Sequence, residues 1–188
     1  MFDAQCDLAA LVYDPGEDPD TVLRDFAARL NATGFRAVGL VQLGRHAAEV
    51  PNISAMLLHD GSEIPLLQDL GPYSSGCRLD IGRLLDAGAR VARALDGGAD
   101  ILIVNRFGRQ ECDGMGLRYL IEQALGSDVP VLIAVPRHRF PDWIKFAEGM
   151  SVKLRCDRDV LDGWWQGLSA RHAVAFPPAA LTICEVFK

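Results

Sequence analysis

The chain has 188 residues, 49% apolar and 23% charged, with a formal net charge of −6. That length and balance fit one domain, 1–188, with a real core, and the negative charge argues against nucleic acid or an anionic membrane as a general partner. No apolar run reaches the roughly 18–20 residues that span a bilayer. The stretch MFDAQCDLAALVYD lacks a basic segment before its apolar one, so it does not read as a signal peptide, and a cytoplasmic protein is expected.

LAALVY, Leu8 to Tyr13, reads as a buried strand that DPGEDPD breaks. TVLRDFAARLNATG follows, with Val22, Leu23, Phe26, Ala27 and Leu30 at helical spacing, a cap at Asp20 or Thr21 and a stop at Gly34. RAVGLVQL, Arg36 to Leu43, is a second strand. SAMLLHDGSEIPLLQDLG reads as a hairpin around the Asp60-Gly61 turn, spanning about residues 54–69. After the polar loop GPYSSGCRLD, a long amphipathic helix sets Leu84, Leu85, Ala89, Val91, Ala92 and Leu95 roughly on one side, and Gly97-Gly98 stops it.

DILIVN is the most continuous apolar strand, followed by a helix in GLRYLIEQALGSD and another buried strand in VPVLIAVP. FPDWIKFAEG, DVLDGWWQGLSA and LTICEVFK read as helix, helix and edge strand. Trp143, Trp164 and Trp165 lie at helical spacing, which favours core packing over a partner surface. Short apolar strands alternating with helices point to a three-layer α/β/α fold around a mostly parallel sheet.

In such sheets ligands bind beyond the carboxyl ends of the strands. The loop after Leu70 carries Tyr73, Ser74, Ser75, Gly76, Cys77 and Arg78. The loop after Val104 carries Asn105, Arg106, Gly108, Arg109 and Glu111, and the loop after Val135 carries Arg137, His138 and Arg139. Guanidinium groups present planar donor forks suited to oxyanions. Hydroxyls and free N–H groups before a helix add neutral donors. A shared anion site and a set of solvated or ion-paired arginines both fit this pattern.

The first loop has the opposite sign, with Asp14, Glu17, Asp18 and Asp20. It lacks the small residues and the lysine of a phosphate-cradling GxxxxGK[ST] loop. Asp18 and Asp20 suit the start of a helix; the functional readings of this loop are a cation site or counter-charges for the arginines.

The five cysteines, Cys6, Cys77, Cys112, Cys156 and Cys184, form no CxxC pair, so no zinc ribbon is expected and no metal site is assigned. All but Cys77 and Cys112, which sit in candidate functional loops, read as reduced packing residues. Cys77, beside Arg78 near a helix start, has the surroundings that lower a thiol pKa.

LAALVYDPG, GLVQ, LLQDLGPYSSGCRLD, ADILIVNRFGRQECDGMGLR and VPVLIAV, covering roughly residues 8 to 137, resemble the DUF2478 family of bacterial proteins. The resemblance implies a fold like that of P-loop nucleoside-triphosphatases, and some members are associated with molybdate transport. The chain is more distantly similar to THEP1-type nucleoside-triphosphatases, in which the strand ends in Asp-Glu-x-Gly-Lys-x-Glu. Gly108 and Glu111 match that stretch and Arg109 keeps the lysine's charge. Asn105 and Arg106 replace the two acids that would support magnesium and activate water. With the lysine loop also missing, cradle, metal support and base all depart from what phosphoryl transfer uses.

The expected function is binding or sensing of an oxyanion such as molybdate, or of a nucleotide or phosphorylated small molecule, without a certain cofactor. Ser74, Ser75, Gly76, Cys77, Arg78, Asn105, Arg106, Gly108 and Arg109 are the ligand-binding candidates. The alternatives are a divergent phosphohydrolase, with Glu111 or Asp14 as general base and His138 nearby, and an interaction protein that binds no ligand. A functional link to molybdenum uptake is expected as well, and a homo-oligomer is one allowed state of assembly.

Overall fold

The computed structural model describes residues 7–44, 53–67 and 79–175. In chain order the elements are β1 (Leu8–Tyr13), α1 (Pro19–Ala32), β2 (Ala37–Leu43), β3 (Ser54–Leu57), β4 (Glu63–Pro65), α2 (Ile81–Asp96), β5 (Ile101–Asn105), α3 (Arg109–Cys112), α4 (Arg118–Gly126), β6 (Val131–Pro136), α5 (Phe140–Phe146), β7 (Val152–Arg155) and α6 (Arg158–Ala175), with a 3-10 turn at Arg137–Arg139.

The strands form one sheet in the order β4-β3-β2-β5-β6-β1-β7. All pairings are parallel except those of β3 with β2 and with β4, the expected hairpin. β1, β5 and β6 are buried along nearly their whole length, because side chains that alternate between the faces meet helices on both. Leu8, Ala10, Val12, Val104 and Ile133 pack with α2, α4 and α5, whereas Ala9, Leu11, Ile103 and Leu132 pack with α1 and α6. These are the three layers expected from the sequence.

Local chemistry sets several boundaries. Asp18, not Asp20 or Thr21, caps α1, accepting from the Thr21 N–H at 3.0 Å. The helix starts two or three residues earlier because Pro19 can stand first in a helix, where no N–H is needed. On α2 the buried positions are Ala87, Gly88, Val91 and Leu95; Leu85 and Ala89 face solvent. The inward stripe is narrower than the apolar pattern suggested, since small residues let the helix approach Leu117 and Tyr119 closely. β7 was not expected: in its four residues only Val152 and Leu154 are buried, and Lys153 and Arg155 keep this sheet edge charged. The LTICEVFK segment lies outside the described residues.

The tryptophans are core residues. Trp143 is fully buried, packs edge-on to Phe107 at 5.1 Å and donates its N–H to Ser151 Oγ at 3.0 Å. Trp164 and Trp165 are buried on the inward side of α6, Trp165 meeting Phe35 edge-on at 5.1 Å. No described helix is long and apolar enough to cross a membrane.

Candidate functional site

The chain leaves β1 toward α1 on one face of the sheet and leaves β5 toward α4 on the other. Such a divergence opens a crevice at the carboxyl ends of the strands. Here the crevice is a cavity of about 610 Å³, lined among others by Tyr13, Asp14, Glu17, Asp20, Gln42 and Arg106.

Asn105, the last residue of β5, is 5% exposed. Its Nδ2 donates to Asp20 Oδ1, and the next side chain, Arg106, sets Nη2 3.4 Å from Asp20 Oδ2. The guanidinium also lies over the Tyr13 ring, 5.7 Å from its centroid, within the range of a cation–π contact. Two polar atoms in this cluster are buried without a hydrogen-bond partner among the described residues, Asn105 Oδ1 and Arg106 Nε. Burial raises the pKa of the Asp20 carboxyl above its ordinary value; the Arg106 charge and the Asn105 amide oppose that shift, and Asp18 adds to it. Tyr13 is likewise raised, chiefly by burial.

The β1–α1 loop uses its carboxylates on its own backbone. Glu17 Oε2 accepts from the Asp14 N–H at 2.5 Å, and the Glu17 N–H donates to the Asp14 carbonyl at 3.1 Å. With Asp18 on the Thr21 N–H, donors that a phosphate-cradling loop would leave free are already engaged. The Asp14 carboxylate is gripped at both oxygens by Arg137, with Nη2 2.6 Å from Oδ2. Hydrogen bonding to Arg137 holds Asp14 below the usual carboxylate range, as the Thr21 N–H does for Asp18. Thus Asp18 serves the helix, while Asp14 and Asp20 are counter-charges to arginines. No three His, Cys, Asp or Glu side chains among the described residues are grouped to hold a metal ion.

The remaining candidates divide. Arg106 lines the cavity, but Arg109 does not: its side chain is 82% exposed and pairs with Asp113 at 3.5 Å. Four residues of α3 turn it outward, so its charge faces solvent. Gly108 and Glu111 form a staple. The Glu111 carboxylate, 4% exposed, accepts from the Gly108 N–H at 2.9 Å and the Leu117 N–H at 3.1 Å. Both Glu111 oxygens are thus engaged by backbone N–H groups inside the fold. His138 is exposed, and Arg139 pairs locally with Asp142 at 3.3 Å. Tyr73, Ser74, Ser75, Gly76, Cys77 and Arg78 lie outside the described residues.

Tyr13 is the member of the cluster that loop composition did not single out; Asp14, Asp20 and Arg137 were named by loop, as counter-charges and donors, but without their partners. Their signal was present in the excess of acids after β1 and arginines after β5 and β6, but pairing them requires knowing that β6 lies between β5 and β1.

Two solved structures share this architecture. A human cancer-related nucleoside triphosphatase matches 89% of this chain and 96% of its own with a TM-score of 0.58 at 14% identity. THEP1 from Aquifex aeolicus matches 86% and 97% with a TM-score of 0.60 at 16% identity. At such identities they establish the fold, which is P-loop NTPase-like. In sequence, the chain is 38% identical over 166 residues to the molybdenum import ATP-binding protein ModC 2 of Bradyrhizobium diazoefficiens; the match takes in 87% of this chain but spans 18% of that relative's length. The family model for DUF2478, described as a protein of unknown function, matches residues 8–164. With most of both sheet faces inside that match, the chain belongs to the DUF2478 family.

Proposed function

We infer that the chain is an anion-binding module that does not turn its ligand over. The ligand is a tetrahedral oxyanion such as molybdate, or the phosphate group of a nucleotide, and the module serves molybdenum uptake. Arg106 carries this reading. Its guanidinium stands at the end of a central strand, at a cavity large enough for a small ligand, with one N–H buried and unpartnered. A guanidinium offers five N–H donors, and the long 3.4 Å contact to Asp20 leaves most of them for a guest.

Hydrolysis is disfavoured by what its three parts have become. Two of the first loop's donors, the Asp14 and Thr21 N–H groups, are spent on Glu17 and Asp18, Asn105 ends the strand where the distant relatives have an acid, and Glu111 is tied to two backbone N–H groups. The link to molybdenum rests on the likeness to a molybdenum import protein.

Thermal melts with molybdate, tungstate, sulfate, phosphate, ATP and GTP test this reading. A ligand at a hundred times its Kd stabilises by about 2.7 kcal/mol, and Arg106→Ala is expected to remove that stabilisation. A shift that survives in Arg106→Ala moves the site elsewhere. Phosphate release from ATP or GTP with magnesium overturns the claim of no turnover.

A further inference from the structure

The Asp20 carboxylate occupies the place beside Arg106 that an anionic guest has to take. We propose that Asp20 is a built-in competitor on Arg106, and that a tetrahedral dianion binds by displacing it, the released carboxylate taking up a proton. This rests on Arg106 being the anion's partner.

The geometry describes a weak, replaceable grip. Asp20 gives one oxygen to the Asn105 amide and sets the other 3.4 Å from Arg106 Nη2, beyond the 2.7–2.9 Å, roughly, of a strong charge-assisted bond. The Asp20 and Arg106 side chains are 20% and 32% exposed, so both are reached from the cavity, while Arg106 Nε has no partner. The Asp14–Arg137 pair differs: there both carboxylate oxygens are bound, and the pair closes on itself. A dianion offers Arg106 more charge and more acceptor oxygens than Asp20 does.

The groups around Asp20 decide the fate of its charge once Arg106 is taken. Asp18 and Glu17 of the loop and Tyr13 of β1 lie on the same cavity, with Arg24 of α1 as a further cation there. Cys156, just beyond β7, feels the same carboxylates and is raised to about 11, mainly by burial, so it adds no charge at neutral pH. Asp20 is already raised by burial with Arg106 opposing; an anion in the guanidinium's grip cancels that opposition and favours the protonated acid. Binding therefore strengthens as the pH falls.

Calorimetric titration of molybdate into wild type, Asp20→Asn and Asp20→Ala, at mildly acidic and mildly alkaline pH and in buffers of differing ionisation enthalpy, tests the displacement. The expected result is proton uptake and tighter binding at the lower pH for wild type. Both variants should bind about tenfold tighter than wild type at the higher pH, with no proton uptake. Equal affinity of the variants and wild type at alkaline pH overturns the displacement and leaves the anion site standing. Absence of molybdate binding in all proteins at both pH values overturns the two together.

Discussion

Gly39→Ala is expected to cost the protein more than about 4 kcal/mol, a large share of the roughly 5–15 kcal/mol that holds a domain folded. Gly39 lies in β2, beside β5, with φ +141°. A Cβ there would fall 1.9 Å from the Ile103 carbonyl oxygen and 2.8 and 2.9 Å from that residue's carbonyl carbon and amide nitrogen. Those atoms belong to the backbone of a central strand, so no side-chain rotation relieves the clash. A φ of +141°, which L side chains rarely adopt, adds about 1–3 kcal/mol. Gly163→Ala is the control: it sits in α6 with open space around it and no positive φ, so a helical Gly-to-Ala change there should stabilise by up to about 1 kcal/mol. Urea melts of the two variants read both numbers. A loss below about 1 kcal/mol at Gly39 would mean that β2 and β5 do not approach as described.

Glu111→Ala is the second large effect. It strips two N–H groups, those of Gly108 and Leu117, of their acceptor, and each buried unsatisfied donor costs about 1–3 kcal/mol. Because the Gly108 N–H is part-buried and the Leu117 N–H fully buried, a total loss of about 2–4 kcal/mol is expected. Glu111→Gln, which keeps one acceptor oxygen, should fall between wild type and alanine. Gly116→Ala attacks the same staple from the other side, its Cβ meeting Glu111 Oε1 at 2.3 Å with φ +65°. The measurement separates structure from catalysis. A Glu111→Ala protein that keeps its melting behaviour but loses a nucleotide turnover would return this carboxylate to the role of general base and favour the divergent hydrolase.

The order of strands and helices was legible in the sequence because their apolar runs are continuous. β1, β5 and β6 carry four or more consecutive apolar residues, and such runs have nowhere to go but the middle of a covered sheet. β7 was hidden for the opposite reason: an edge strand needs only two inward side chains, Val152 and Leu154, and two apolar residues in four carry little pattern. The turn at Asp60-Gly61 was readable because left-handed backbone at Gly61 is a local demand.

For the site, residue chemistry alone determined that Asn105 and Arg106 end a buried strand and that acids crowd the loop after β1. Only the tertiary structure decided which charges meet. Arg106 faces Asp20, Arg137 grips Asp14, Arg109 turns out to Asp113, and Glu111 is consumed by backbone N–H groups. Partners 86 and 123 positions apart are chosen by strand order and loop direction. A charge interacts through distance and dielectric, and neither is written in its position along the chain.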